Sequence, residues 1–158
     1  MKEKKVSESR VVHSHVMQPQ DANPAGNVHG GVIMKHIDNT ASVVAAKHAR
    51  SNVVTLSIDR LVFHNPVYIG DLLTLKANLN LAGRTSMEVG VRVEAENLLT
   101  GKMRHTASAF LTFVALDEKG VPFHIPDLIP ETEEDARRIT KASARRERRL
   151  AEKEAAGE

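Results

Sequence analysis

The sequence contains no cysteine and no tryptophan, and aromatic residues make up only 3% of its 158 residues. Without cysteine the chain has no disulfide, no thiolate ligand for zinc and no cysteine nucleophile. The scarcity of aromatic side chains argues against a surface that stacks nucleic-acid bases, so we expect no nucleic-acid partner. The core must be built from aliphatic side chains instead, and the 41% hydrophobic content is ordinary for one globular domain.

Long apolar runs are also missing. No segment approaches the roughly 18 consecutive apolar residues that a membrane span needs. The N-terminal segment MKEKKVSESR is charged and no apolar stretch follows it, unlike a signal peptide. We therefore expect a cytoplasmic protein without a membrane partner. The formal net charge of +2 is too small to predict a polyanionic partner.

The spacing of apolar residues predicts one long helix and a set of strands. From Gly31 to about Arg50 apolar residues recur every three or four positions, which is typical of an amphipathic helix. Alternating apolar and polar residues predict strands over 53–63, 72–81 and 85–96, and further strands are expected over 10–17, where Val and His are mixed on both faces, and over 103–116. The last of these is apolar on both faces and should lie inside the sheet.

The alternation also predicts which side chains face water. In the two middle strands the polar partners of the leucines and valines, including Asn80 and Glu88, are expected on a wet face. In the strand over 53–63, one apolar face is expected to hold Val54, Leu56, Ile58 and Val62. One amphipathic helix that covers the apolar face of a curved antiparallel sheet buries both apolar surfaces, so the fold class is α+β.

The C-terminal segment differs in composition from the rest of the chain. Thr132 precedes three acidic residues, which predicts a helix start with a capping side chain and favourable charges. Residues 131–158 contain eight acidic and eight basic residues. Four of the basic residues fall on one helical stripe: Arg138, Lys141, Arg145 and Arg148. We predict a flexible N-terminus over 1–9, a domain over 10–130 and a charged C-terminal helix over 131–158.

The segment 21–38, DANPAGNVHGGVIMKHID, combines an Asn- and Gly-rich loop with the start of the long helix. A helix N-terminus presents free N–H groups and partial positive charge, which suit a developing oxyanion. Glycines at His29-Gly30-Gly31 would let a substrate carbonyl approach the backbone. The same glycines also fit a loop that merely begins a helix.

Asp38 lies about two turns into this helix, beside its face of small residues. A partly buried carboxylate there could act on a carbonyl as a base or a nucleophile. An aspartate that reaches solvent from the edge of the stripe fits the periodicity equally well. The eight histidines show no zinc-site spacing, so no metal is expected, and no GxSxG element supports a serine triad.

These elements resemble the active-site segment of the bacterial short- to long-chain acyl-CoA hydrolases and of the brain-type acyl-CoA hydrolases. The matching elements are Asp21-Ala22-Asn23, Gly26-Asn27, His29-Gly30-Gly31 and Ile37-Asp38. The resemblance continues through FHNPVYIGD at 63–71 and GRTSMEV at 83–89, and covers roughly 10–150. It implies the hotdog fold, with one long central helix wrapped by a curved antiparallel sheet of about five strands, plus a C-terminal helix.

The resemblance also implies an enzyme, a thioester hydrolase that converts fatty acyl-CoA to free fatty acid and CoA. In this family Asp38 would activate water or attack the thioester directly, and Asn23 would orient the water or the substrate. A backbone N–H at the helix start, that of Gly31 above all, would hold the thioester oxygen, with Gly30 and His29 beside it.

Coenzyme A enters as part of the substrate, and no other cofactor is expected. The expected CoA-binding residues are Val54, Thr55, Arg84, Thr85, Ser86, Arg138 and Arg145. The Arg-Thr-Ser run is similar to a CoA-contacting loop, and the Val-Thr pair would lie beside the pantetheine. The two C-terminal arginines would meet the CoA phosphates, although a solvated charged helix explains them equally well.

The family forms dimers of hotdogs in which Asn and Asp act together from different subunits, so a homo-oligomer is expected, a hexamer built as three dimers. Two other functions remain open: a phenylacetyl-type thioesterase, because His-Gly-Gly followed by Asp also occurs in that branch, and a non-catalytic acyl-CoA-binding hotdog protein. Bacterial relatives often have a bulky aromatic residue where this chain has Val32. The acyl chain length is therefore left undetermined.

Overall fold

The computed structural model describes residues 2–158. In chain order its elements are β1 (Lys4–Lys5), β2 (Val11–Val16), α1 (Gly30–Ala49), β3 (Asn52–Phe63), β4 (Leu72–Ala82), β5 (Ser86–Glu96), β6 (Met103–Leu116), β7 (Leu128–Ile129) and α2 (Glu133–Ala155). The five predicted strands correspond to β2 through β6. They and the two predicted helices are confirmed.

Five strands form one antiparallel sheet in the order β2-β4-β5-β6-β3. β4, β5 and β6 follow one another as a meander, and β3 lies on the far side of β6, so β2 and β3 are the edge strands. β6 lies inside the sheet, as predicted. Helix α1 packs against one face, hereafter the inner face, which is the predicted α+β hotdog arrangement.

The inner face and α1 form the core. The helix contributes Ile33, Ile37, Ala41, Val44 and Ala45, all at most 3% exposed. The strands contribute Leu73, Leu75, Ala77, Leu79, Met87, Val89, Val91, Val93, Ala107, Ala109, Leu111 and Phe113. The alanines at the centre of α1 let the helix lie close to the sheet, as in other close-packed interiors.

Helix α1 has a defined start and stop. The His29 imidazole Nδ1 accepts a hydrogen bond from the Gly31 N–H at 2.9 Å and caps the first turn. The helix ends at Arg50, which adopts a left-handed conformation with φ of 52° and donates its N–H to the Ala46 carbonyl.

Strand β3 departs from the predicted alternation. Its register with β6 shifts between Thr55 and Ser57 and again between Asp59 and Val62. Each β-bulge adds an unpaired residue and therefore exchanges the faces that follow it. As a result Val54, Leu56, Ile58 and Val62 do not share one dry face, and each is at least 36% exposed. The prediction of a single apolar face for this strand is wrong.

The other face of the sheet, hereafter the outer face, is covered in part by α2. The helix begins as predicted, with the Thr132 hydroxyl accepting from the Asp135 N–H at 3.0 Å in a capping box. Under it, Asn80 and Glu88 are 3% and 1% exposed. The prediction that these two residues face water is wrong, because α2 lies over them and Arg145 pairs with Glu88.

The first residues of the chain differ from the predicted flexible terminus. β1 pairs in parallel with β7, and Val6 is 2% exposed. The Lys4 ammonium donates to the Lys47 and His48 carbonyls at the end of α1, at 3.2 and 2.8 Å, where a cation suits the helix dipole. Within residues 2–158 no helix is long and apolar enough to span a bilayer.

Candidate functional site

The loop before α1 is built around Asn23. Its side-chain Oδ1 accepts the N–H groups of Ala25 and Asn27, at 3.0 and 3.2 Å. Gly26, with φ of 90°, supplies the left-handed residue that this tight turn requires. Because Oδ1 is committed to the loop, the Asn23 amide presents its NH₂ donors to whatever lies beside the loop.

A cleft of about 320 Å³ opens beside this loop and brings Asn23 together with Gly30, Phe63 and His64. The Gly31 N–H is not free, since it donates to the His29 imidazole. For the Gly30 N–H we find no acceptor among residues 2–158. Of the two predicted oxyanion donors, Gly30 is therefore the available one in this conformation, and a substrate oxygen at Gly31 would have to displace the imidazole.

Asp38 is half-buried on α1 and receives a hydrogen bond from the Thr55 hydroxyl at 2.7 Å. Thr55 stands opposite Phe113 of the inner face in the β3–β6 register, so its side chain points to α1. A charge-assisted hydrogen bond of this kind fixes the orientation of a carboxylate. The sequence placed Thr55 near the substrate but not on Asp38, because helix-to-strand contacts leave no trace in the spacing.

Within one chain, Asp38 lies far from the backbone N–H groups at the start of α1. Asp38 follows Gly30 by two turns of α1, which is about 12 Å along the helix axis. Reacting groups must lie about 3–3.5 Å from the atom on which they act. Asp38 and the N–H donors at the helix start therefore do not converge on one carbonyl carbon in the isolated chain.

The predicted CoA-binding residues divide into two groups. Ser86 and Val54 both stand opposite Val114 in the sheet register, so the Arg84-Thr85-Ser86 turn lies at the same end of the sheet as Val54 and Thr55. The five residues share one end of the sheet, although β6 lies between Ser86 and the β3 edge. Val54 is 47% exposed there.

Arg138 and Arg145 lie elsewhere, on α2 over the outer face. Arg145 donates to both Glu88 carboxylate oxygens, at 2.6 and 3.1 Å, and its guanidinium lies 3.6 Å from the centre of the Phe110 ring. Arg138 lies near Glu134 and Asp135. The sheet thus separates these two arginines from Asp38.

Three histidines, His13, His15 and His36, lie close together beside the middle of α1. The His36 ring lies 4.4 Å from that of His15, and burial, followed by the neighbouring His15, lowers the pKa of His36. His13 and His15 lie on one strand face, as predicted, toward α1. Among residues 2–158 no group of His, Asp and Glu is arranged to hold a metal ion.

Comparison with known proteins places this arrangement in a family. The model of the thioesterase superfamily matches residues 25–102. An uncharacterized acyl-CoA thioester hydrolase of Bacillus subtilis is 42% identical over 128 residues, which are 81% of this chain and 74% of that protein. This chain belongs to the thioesterase superfamily.

Other relatives are longer than this thioesterase-superfamily chain. The cytosolic acyl coenzyme A thioester hydrolase of Rattus norvegicus is 37% identical over 142 residues, which are 89% of this chain but only 37% of the rat protein. The chain therefore spans little more than a third of the length of that relative.

Solved structures agree with the fold. A crystal structure of an apo-hexameric acyl-CoA thioesterase superimposes with a TM-score of 0.92 at 42% identity, covering 96% of this chain and 97% of that one. An acyl-CoA hydrolase of Staphylococcus aureus in complex with butyryl coenzyme A, coenzyme A and coenzyme A disulfide gives 0.90 at 37% identity, covering 98% and 94%. Three variants of that hydrolase, in which one aspartate, one asparagine or one threonine is changed to alanine, give TM-scores of 0.91, 0.92 and 0.89, respectively.

Proposed function

We propose that the protein is an acyl-CoA thioesterase that hydrolyses fatty acyl-CoA to free fatty acid and CoA. Asp38 acts as the general base for water or as the nucleophile on the thioester carbonyl. Asn23 orients the water or the substrate through its free amide donors. Backbone N–H groups at the start of α1 stabilise the oxyanion.

The observation that carries the proposal is the hydrogen bond from Thr55 to Asp38, 2.7 Å long. A carboxylate that only reached solvent from the edge of the helix would need no such partner. The asparagine, aspartate and threonine changed in the Staphylococcus aureus variants have the same spacing along their chain as Asn23, Asp38 and Thr55 have here. That coincidence supports a functional role for all three residues.

The free Gly30 N–H makes this glycine the first oxyanion donor in the proposal, and Gly31 joins it when the His29 imidazole turns away. Removing one oxyanion donor costs about 10²–10³ in kcat in well-studied hydrolases. His29 then has a positioning role: it satisfies the Gly31 N–H while no substrate is bound.

A second copy of the chain completes the site in this proposal. Asp38 and the helix start of one chain are about 12 Å apart along α1. The β3 edge beside Thr55 is unpaired in the single chain and exposes Val54, Leu56 and Phe63. Pairing of this edge with the β3 edge of a second copy would cover these side chains and bring its Asn23 toward Asp38. We propose a homodimer on this edge, and a hexamer of three such dimers.

Coenzyme A binds in this proposal as part of the substrate, with no other cofactor. The Arg84-Thr85-Ser86 turn offers a cation and two hydroxyls to its phosphates, and Val54 and Thr55 flank the pantetheine. Arg138 and Arg145 remain proposed phosphate contacts for a CoA that reaches the outer face. A cytosolic location is proposed as well, by similarity to the rat relative, whose name says cytosolic.

The decisive experiment is Asp38→Asn, assayed with palmitoyl-CoA and a thiol reagent that detects free CoA. The amide has the shape of the carboxylate but acts neither as base nor as nucleophile, so kcat should fall about 10²-fold or more while the melting temperature stays unchanged. The matched control is Glu118→Gln, which removes an exposed carboxylate from the turn after β6 and should leave kcat unchanged.

The same assay separates the competing functions. A non-catalytic acyl-CoA-binding protein would release no CoA from any substrate. A phenylacetyl-type enzyme would prefer phenylacetyl-CoA to palmitoyl-CoA in kcat/KM. If Asp38→Asn kept near-native turnover, Asp38 would be structural and the proposed mechanism would be wrong.

A further inference from the structure

The cleft of about 320 Å³ before α1 combines hydrogen-bond donors with an apolar floor. Asn23 and Gly30, proposed above to hold the reacting carbonyl, both line it. Three apolar side chains that line it are at most 5% exposed: Val28, Ile33 and Val67. An engineered apolar cavity of about 150 Å³ takes up benzene, so a cleft of this volume has room for several carbons of an acyl chain.

The position of the cleft along β3 suits the acyl side of a thioester. The CoA part of the substrate is proposed to lie at Val54 and Thr55, near the first residue of β3, whereas Phe63, which lines the cleft, is the last residue of that strand. Two β3 edges related by a two-fold axis perpendicular to the sheet pair antiparallel, so the start of one strand lies beside the end of the other. A thioester at Asp38 of one chain, with its CoA part toward Val54, therefore directs its acyl chain toward the cleft of the second copy.

Phe63 lies where the first carbons of that acyl chain would pass. It stands opposite Ala107 of the inner face in the β3–β6 register, so its ring points to the α1 side of the sheet. A Cβ built on Gly30 would lie 3.8 Å from the ring carbon Cζ of Phe63, which is van der Waals contact. An acyl group whose oxygen accepts the Gly30 N–H therefore has its α-carbon, the carbon next to the carbonyl, beside this ring.

The Phe63 ring is the exposed wall of the cleft, whereas Ile33 and Val67 belong to the core. Close packing of the core fixes the shape of the floor. A substitution at Phe63 therefore changes the wall beside the α-carbon without opening a cavity in the core. One methylene group more or less in an apolar pocket changes kcat/KM by about 10–200-fold, so a single branch at the α-carbon is enough to reveal this wall.

We propose that the cleft holds the acyl chain and that Phe63 is a specificity-determining residue, which favours acyl groups with an unbranched α-carbon. The inference rests on the proposed thioesterase function and narrows its substrates to straight-chain acyl-CoA. A straight chain passes the ring with only hydrogens on its α-carbon and continues over Ile33 and Val67. A methyl group on the α-carbon meets the ring and displaces the carbonyl oxygen from the Gly30 N–H.

The test compares butyryl-CoA with isobutyryl-CoA, two isomers that differ only in the branch at the α-carbon, by the release of free CoA. The wild-type protein should prefer butyryl-CoA by about tenfold or more in kcat/KM. Phe63→Ala should reduce the preference to within about twofold by raising kcat/KM for isobutyryl-CoA. Phe63→Leu, which keeps an apolar side chain on the β3 edge, should give an intermediate preference.

The matched control is Val62→Ala on the same strand. Val62 stands opposite Ser108, so its side chain lies on the outer face and its truncation should keep the wild-type preference. Light scattering of each variant checks that the assembly is the same as that of the wild-type protein. If Phe63→Ala does not assemble, the preference of Phe63→Leu decides.

Equal hydrolysis of the two isomers by the wild-type protein overturns the inference and leaves the thioesterase function intact. The same holds for an unchanged preference in the assembled Phe63 variants, or for an equal loss of preference in Val62→Ala. If the wild-type protein hydrolyses neither isomer and does not hydrolyse palmitoyl-CoA, the proposed function itself is wrong, and the inference with it.

Discussion

The inner and outer faces of the same sheet bury different kinds of side chain. The inner face buries aliphatic side chains against α1 and reserves a single carboxylate, Asp38, for a hydroxyl partner on β3. The outer face buries the carboxylate of Glu88 and surrounds it with Arg145 and Arg149 of α2. The comparison shows that two acids of one fold have different partners: Glu88 binds the arginines of a helix, whereas Asp38, the carboxylate proposed above for catalysis, binds a hydroxyl.

The hydrogen-bond partners of Glu88 and Asp38 differ in kind as well as in number. Glu88 is 1% exposed and bound by the guanidinium groups of Arg145 and Arg149, which hold it in place. Asp38 is half-buried and bound by one neutral hydroxyl, so one of its oxygens remains free to accept a proton or attack a carbonyl. The catalytic role proposed for Asp38 needs a carboxylate oxygen without a partner, whereas a carboxylate that holds a helix in place needs both oxygens bound.

The largest expected effect concerns the outer face. Arg145→Met would keep an apolar side chain beside Phe110, where the guanidinium now lies, but leave Glu88 with Arg149 as its one cation, 3.5 Å away. Breaking a buried ion pair from one side costs about 3–5 kcal/mol, so the free energy of unfolding should fall by about 3 kcal/mol in urea denaturation.

Arg148→Met, on the same helix but exposed, is the control and should change stability by less than about 0.5 kcal/mol. Adding Glu88→Gln to Arg145→Met should recover part of the loss, since the uncompensated charge is then removed. Equal stability of the two arginine variants would mean that α2 is not held to the sheet through Glu88.

A smaller effect, on activity and not on stability, is expected at the inner face. Thr55→Val keeps the shape of the side chain but removes the hydroxyl that orients Asp38, so kcat should fall about tenfold with little change in KM. Thr55→Ser should restore most of the rate. Thr74→Val, which removes a hydroxyl bonded to Ser14 on β2, should leave kcat unchanged; if it lowered kcat equally, the loss would be a general strand effect.

The smallest effect is a pH dependence that originates at the C-terminal end of α1. His48 is fully buried, its Nε2 donates to the Pro126 carbonyl at 2.7 Å, and burial lowers its pKa. Because the folded-state pKa lies below the unfolded value of about 6.5, only the unfolded chain binds a proton just below that pH. Stability contributed by neutral His48 should be complete above about pH 6.5 and should decline as the pH falls.

Denaturation at several pH values measures this contribution. His48→Asn should flatten the decline below about pH 6.5, whatever its effect on stability at neutral pH. His124→Asn, which replaces an exposed histidine, should keep the original slope. A slope unchanged by His48→Asn would assign the acid sensitivity to other groups.

Local sequence pattern was enough to predict most of the strands, the long helix and several candidate site residues. Period-two alternation placed β4 and β5 and their inner-face residues, and helical spacing placed α1. The loop with Asn23 and the glycines before the helix were recognisable because turns and helix starts demand particular residues. Asp38 stood out because an acid beside a small-residue face needs an explanation.

Local sequence pattern could not predict the features that depend on contacts with a distant segment of the chain. The bulges of β3 moved Val54 and Ile58 to different faces because register is decided by pairing with β6, not by composition. From local pattern alone, polar residues such as Asn80 and Glu88 are predicted to face solvent, but α2 covers them, and its Arg145, 57 residues after Glu88, binds that carboxylate. Likewise the contact from Thr55 to Asp38 joins a strand to a helix. Local periodicity determines which residues can share a face, but only tertiary packing decides what that face meets.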